Sequence, residues 1–138
     1  MVSPISKPLP GLIKTIYMNS FSIKKRIKSF EYAFKGLVHA IVTQHNIWIH
    51  LLATVLLIIG GFHYNLNSTE WCLILLSIGL VLGLEIINSS IESLTDMVSP
   101  EYDNLAGKVK DMAAGAVLLA AIVTAIVGCI VFIPKIIG

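Results

Sequence analysis

Apolar residues recur along this chain in two rhythms, and the change between them divides it. From residue 21 to 43 the apolar positions Ile23, Ile27, Phe30, Phe34, Leu37 and Ile41 come three or four residues apart, while Lys24, Lys25, Lys28, Glu31 and Lys35 fall mostly between them. That spacing predicts an amphipathic helix whose apolar face and basic flank suit a membrane interface. Glu31 and Lys35 also form a four-apart pair in the favourable order. Beyond residue 45 the apolar positions crowd together. A first span is predicted over 45–64, reaching the roughly 20 residues a bilayer requires once Ile47, Trp48 and Tyr64 are included. Trp48 and Tyr64 would anchor it at the two interfaces. A polar turn over 63–70 follows, in which Ser68 or Thr69 can cap the next helix. The second span is predicted over 70–97, broken by Ser99-Pro100. A polar connector, 101–110, leads to a third span over 111–133 that stops at Pro134.

Composition agrees with this outline. Of 138 residues, 56% are hydrophobic and 13% charged, against about 45–50% and about 25% in soluble domains. The fold class predicted is all-α integral membrane, one interfacial helix plus three transmembrane helices. Residues 1–20, with Pro4, Pro8 and Pro10, read as a tail without the compact apolar region of a signal peptide; residues 21–138 form one membrane domain. No long basic run with interleaved aromatics is present, which argues against nucleic acid as a partner. Cys72 and Cys129 both lie in apolar runs and read as buried small hydrophobes rather than a disulfide or metal pair.

The basic residues set the expected orientation. Lys24, Lys25, Arg26, Lys28 and Lys35 precede the first span, Lys108 and Lys110 lie between the second and third, and the 63–70 turn has no lysine or arginine. The positive-inside rule therefore puts the N-terminus and the 99–110 loop in the cytoplasm, with Lys135 as a single dissenting charge. Gly79 and Gly83, and Ala113 to Ala116, are small residues of the kind that let membrane helices approach closely.

One stretch departs from the apolar pattern. Glu85, Asn88, Glu92 and Asp96 fall within an arc of roughly 80° on one helix face and span about 16 Å of axis. Ionisable groups in such a segment are costly, face the protein interior and mark function. Phosphoryl transfer from a nucleotide needs a divalent metal, a cation near the moving group and a residue to orient or deprotonate the acceptor. Magnesium binds through one or two carboxylates plus substrate phosphates, a role that fits Glu92 with Asn88 beside it. Lys110, expected in the opening turn of the third helix, fits a phosphate, with the helix N-terminus adding free N–H groups. Glu85, deeper in the apolar run, fits a base toward a hydroxyl held at the membrane surface. The bland alternatives are that Glu92 and Asp96 solvate a helix end, that Lys108 and Lys110 only set topology, and that Glu85 pairs with Lys110. No P-loop motif is present. His39, His45, His50 and His63 share no face with carboxylates at ligand spacing and read as interfacial or packing residues.

The motif Glu85-x-x-Asn88-x-x-Ile91-Glu92-x-x-x-Asp96, followed by Glu101-Tyr102 and by Lys110-Asp111-x-Ala-Ala-Gly-Ala-Val, resembles the signature of the prokaryotic diacylglycerol kinase/undecaprenol kinase family across residues 21–138. The resemblance implies a homotrimer with active sites between subunits, and magnesium-dependent transfer of the ATP γ-phosphoryl group to a lipid alcohol. By the same resemblance Glu85 is the catalytic base, Glu92 a metal ligand with Asn88 beside it, and Asp96 a site-lining residue. Lys110 and Asp111 belong to the nucleotide site, and Glu101 and Tyr102 to the connector that contacts the nucleotide. Tyr32 lies near the adenine, Lys25 is a basic ATP contact, and Phe30, Phe34 and Ala40 line the lipid-facing surface helix. The family's acidic metal ligand stands where this chain has Gln44, whose carbonyl can still ligate magnesium but brings no charge. Thr43-Gln44-His45-Asn46-Ile47-x-x-His50 resembles the Gram-positive branch, so Asn46 and His50 favour undecaprenol over diacylglycerol as acceptor. Rival readings are a small ion- or proton-coupled transporter with Glu85 as carrier group, and an inactive relative marked by Gln44.

Overall fold

The computed structural model describes residues 22–138 apart from Tyr102; the expectations for the 1–20 tail and for Tyr102 lie outside the described residues. Four helices follow one another: α1 Ile23–Thr43, α2 His45–His63, α3 Ser68–Val98 and α4 Asn104–Ile137. Among the described residues there is no strand. Helices α2, α3 and α4 are each long and apolar enough to cross a membrane. This satisfies the rule that a spanning backbone must close its own hydrogen bonds.

The described residues divide into two units, one ending at Lys35 and the other beginning at Gly36. The first unit carries the basic turns of α1. Its apolar positions Ile23, Ile27, Phe30 and Phe34 are all exposed, an amphipathic face of the type that rests on a lipid surface. Glu31 and Lys35 pair at 2.6 Å, as their spacing predicts.

In the second unit α3 is the central helix: a third of its apolar window is buried, against 11% for α2 and 17% for α4. α4 packs extensively along α3, and α2 packs on it over a shorter stretch. The tightest packing lies near the turn between α2 and α3, where Leu66, Ile74 and Val131 form a buried cluster bordered by Leu57, Trp71, Ile78, Val127 and Phe132. Asn65 closes α2 in the left-handed region at φ 51°. There the Leu66 N–H donates to the Gly61 carbonyl and the Asn65 N–H to that of Phe62, satisfying carbonyls left over at the helix end. α3 is then capped by Asn67, not by Ser68 or Thr69 as expected. The Asn67 side chain accepts from the Glu70 N–H while the Glu70 carboxylate accepts from the Asn67 N–H. The reciprocal pair satisfies two helix-end donors at once and so outcompetes a single hydroxyl. Glu70 also pairs with Lys135 at 3.1 Å, so the dissenting lysine has a counter-charge at its own end of the bundle.

Helix α4 is longer than its apolar core. The polar connector expected over 101–110 shrinks to a short break, because Asp103 Oδ1 accepts from the N–H groups of Leu105 and Ala106 and starts the helix at Asn104. Nor does Pro134 stop it. The helix continues to Ile137, and the Pro134 carbonyl accepts from the Gly138 N–H. A proline so close to the end forfeits one donor and leaves few turns to disrupt.

Two further expectations change. Cys72 and Cys129 are free but exposed rather than buried. The close helix approaches fall at Gly60 and Gly61, not at Gly79, Gly83 or Gly115, where an added Cβ would meet no described atom within 4 Å. At Gly61 a Cβ would lie 2.6 Å from Trp71 Cη2, and the indole is held by the Phe62 ring at a 5.0 Å centroid separation. Gly61→Ala is therefore expected to destabilise the bundle by about 1–3 kcal/mol, read as a lower unfolding midpoint in detergent. Gly107→Ala, where an added Cβ likewise meets nothing within 4 Å, serves as the control and should not lower that midpoint.

Candidate functional site

The polar half of α3 survives in an apolar surrounding because its hydroxyls close on their own helix. Ser89, Ser90, Ser93 and Thr95 each donate to the carbonyl four residues back, so none requires water. This leaves the row itself as the chemically available edge. Its burial is graded along the axis. Glu85 is 2% exposed and Asn88 5%, Glu92 is half-buried, and Asp96 is exposed. The buried end of the row faces protein rather than acyl chains, as its cost requires.

Glu92 Oε1 accepts from Asn88 Nδ2 at 3.2 Å. That bond turns the Asn88 amide so that its Oδ1 is buried with no partner. An orphaned amide oxygen beside a carboxylate is a pair of hard oxygen donors, and it fits a hard divalent cation such as magnesium. Among the described residues no group of three or more His, Cys, Asp or Glu gathers into a metal cage. A cation held here would therefore take its remaining ligands from a bound phosphate group and water, the usual magnesium arrangement. Gln44 is half-buried at the junction of α1 and α2, where its side chain makes no capping bond.

Lys110 lies in the second turn of α4, not in the opening turn. Its contribution is thus its ammonium alone, because the helix-end N–H groups belong to residues already capped by Asp103. The ammonium pairs with Asp96 across the α3–α4 contact. This pairing replaces the alternative in which Lys110 neutralises Glu85. It also puts a cation at the exposed end of the acidic row. Asp111 and Glu101 are exposed close by in sequence. Ala40 is buried near the end of α1. In the first unit, Lys25, Phe30, Tyr32 and Phe34 are exposed. There the Tyr32 ring lies between two cations of its own helix, Lys28 Nζ at 5.7 Å and Lys35 Nζ at 5.9 Å from its centroid.

The neighbour of the Glu85 carboxylate is one that helical spacing did not single out: His50 of α2, with Nε2 4.0 Å from Glu85 Oε2. The histidines share no helix face with a carboxylate, so the contact exists only once α2 packs on α3.

A membrane bundle with a buried carboxylate, an Asn88–Glu92 pair and a lysine at its polar end suits a phosphotransferase acting on lipid. Residues 31–132 match the family model described as prokaryotic diacylglycerol kinase. The chain is 35% identical over 113 residues to an undecaprenol kinase of Bacillus subtilis, covering 82% of this chain and 92% of that protein. It is 37% identical over 140 residues to a diacylglycerol kinase of Synechocystis, covering all of this chain and 79% of that one. To a diacylglycerol kinase of Escherichia coli it is 33% identical over 112 residues, covering 81% and 92%. This chain belongs to the prokaryotic diacylglycerol kinase family and is a membrane-embedded lipid kinase. That membership removes the transporter alternative.

Proposed function

We propose that the chain phosphorylates undecaprenol, using magnesium-ATP, at the α3 row on the cytoplasmic side of the membrane. The observation that carries this reading is the graded burial of the row: a carboxylate sunk at Glu85, the Asn88–Glu92 oxygen pair above it, and the Lys110–Asp96 pair at the wet end. A lipid hydroxyl and a nucleotide phosphate reach such a row from opposite ends. Glu85 accepts the hydroxyl proton as the acceptor oxygen bonds to the γ-phosphorus, and the bond to the ADP oxygen breaks. Glu92 and Asn88, with Gln44, would hold magnesium, which when bound neutralises charge on the phosphate oxygens. Lys110 exchanges Asp96 for phosphate, with Asp111, Glu101 and Tyr102 as further nucleotide contacts; Lys25 and Tyr32 keep the nucleotide roles that the family resemblance implies. Asn46 and His50 favour the prenyl alcohol over diacylglycerol. The apolar faces left open around Gly79, Gly83 and Gly115 support assembly as a homotrimer with sites between subunits.

Purified chain in mixed micelles, given labelled ATP with equal undecaprenol and diacylglycerol, tests the reading. Most label is expected on undecaprenol. Equal or greater label on diacylglycerol would overturn the acceptor assignment.

A further inference from the structure

Between α2, α3 and α4 runs an apolar groove with a volume of about 550 Å³, lined among others by Leu57, Val81, Leu82, Ala125 and Phe132. Its wall also carries His50, Thr54 and Thr124. Both threonine hydroxyls donate to backbone carbonyls, Thr54 to His50 and Thr124 to Ser77. The His50 imidazole is therefore the strongest hydrogen-bonding side chain this wall offers to an incoming molecule, Cys129 adding only a weak thiol donor. Its side chain is 22% exposed, while that of Glu85 behind it is 3% exposed. An alcohol moving along the groove meets the imidazole before it meets the carboxylate.

The separation of 4.0 Å between His50 Nε2 and Glu85 Oε2 is too long for a direct hydrogen bond. It is the right size for one oxygen between them. An oxygen about 2.8 Å from each atom would bond both at an angle of roughly 90°, close to what a hydroxyl offers between its proton and a lone pair. We infer that His50 is the residue that positions the acceptor hydroxyl: its Nε2–H donates to the oxygen while Glu85 accepts the proton from it. A hydroxyl held at two points leaves its remaining lone pair for the phosphorus, the near-attack arrangement that speeds group transfer. This inference rests on the proposed role of Glu85 and adds to it a side chain from a different helix.

The test compares wild type, His50→Ala and His50→Gln as full-length protein in mixed micelles, varying undecaprenol and magnesium-ATP separately. His50→Ala is expected to lower kcat/KM for undecaprenol by about tenfold or more, the effect of one lost oriented bond in a buried site. The KM for magnesium-ATP should stay within about twofold. His50→Gln, which keeps an N–H donor at similar reach, should recover most of the loss. An unchanged kcat/KM for undecaprenol in His50→Ala would overturn the inference, as would a parallel rise in the KM for nucleotide or a glutamine no better than alanine. Should His50→Ala fail to fold, wild type decides: undecaprenol added without nucleotide must shift the His50 Nε2 resonance, and no shift overturns the inference. Glu85→Gln separates the two levels. If it is inactive while His50 proves indifferent, only the positioning role is lost; if it is fully active, the base assignment and the inference fail together.

Discussion

Turnover of the Glu85→Gln variant is expected to fall by about 10²–10⁴-fold, the usual worth of a positioned base, while nucleotide affinity stays within about twofold. The substitution keeps size and shape. It also leaves the Ser89 hydroxyl bonded to the backbone carbonyl of residue 85, so the polar half of α3 retains its internal closure. What it removes is the one buried carboxylate of the row, and an amide cannot accept a proton at neutral pH. Lipid phosphorylation and binding of a fluorescent ATP analogue, measured on one preparation, separate the two effects. A matching loss of nucleotide affinity would move Glu85 from the acceptor side of the reaction to the nucleotide side.

Glu92→Gln is expected to act on the other partner. Its amide oxygen can still accept from Asn88 Nδ2, so the 3.2 Å bond of the parent and the orientation of the Asn88 oxygen are retained. The lost charge should raise the magnesium concentration needed for half-maximal activity by about 10–100-fold. Turnover at saturating magnesium should recover much of its level. Adding a charge back through Gln44→Glu should tighten the magnesium requirement, in the wild type as well as in Glu92→Gln. A magnesium titration of the four proteins checks this, and an unchanged midpoint in Glu92→Gln would remove Glu92 and its Asn88 neighbour from the cation site.

The two variants are expected to fail differently because the burial of the row is graded. Glu85 is buried and Glu92 half-buried, which is why the lipid hydroxyl is proposed at the first and the nucleotide phosphate at the second. In the proposed site the Lys110–Asp96 pair at the exposed end is where phosphate would enter. Asp96 keeps the ammonium near the row, and a surface ion pair is weak enough to exchange for a more highly charged partner.

Much of this was legible in the one-dimensional pattern, for definite reasons. A bilayer demands long apolar helices, and three such stretches were visible directly. Helical periodicity alone brings Glu85, Asn88, Glu92 and Asp96 onto one face. The amphipathic rhythm predicted over residues 21–43 appears as α1, Ile23–Thr43. The misplaced boundaries were those set by polar side chains. Asp103 starts α4 seven residues before its apolar run, and the Asn67–Glu70 pair starts α3. Capping depends on which of several adjacent polar residues closes two bonds at once, and hydropathy does not distinguish them.

The sequence by itself determined a membrane helix bundle with an acidic face, because periodicity and apolar length are local properties of a single helix. Only the tertiary structure decided the partners: His50 for Glu85, Asp96 for Lys110, Lys135 for Glu70, and Trp71 over Gly61. Each of these contacts joins residues from different helices or from the two sides of a turn. Their distances are set by how the helices cross and how far each is slid along its neighbour, quantities that spacing within one helix does not encode.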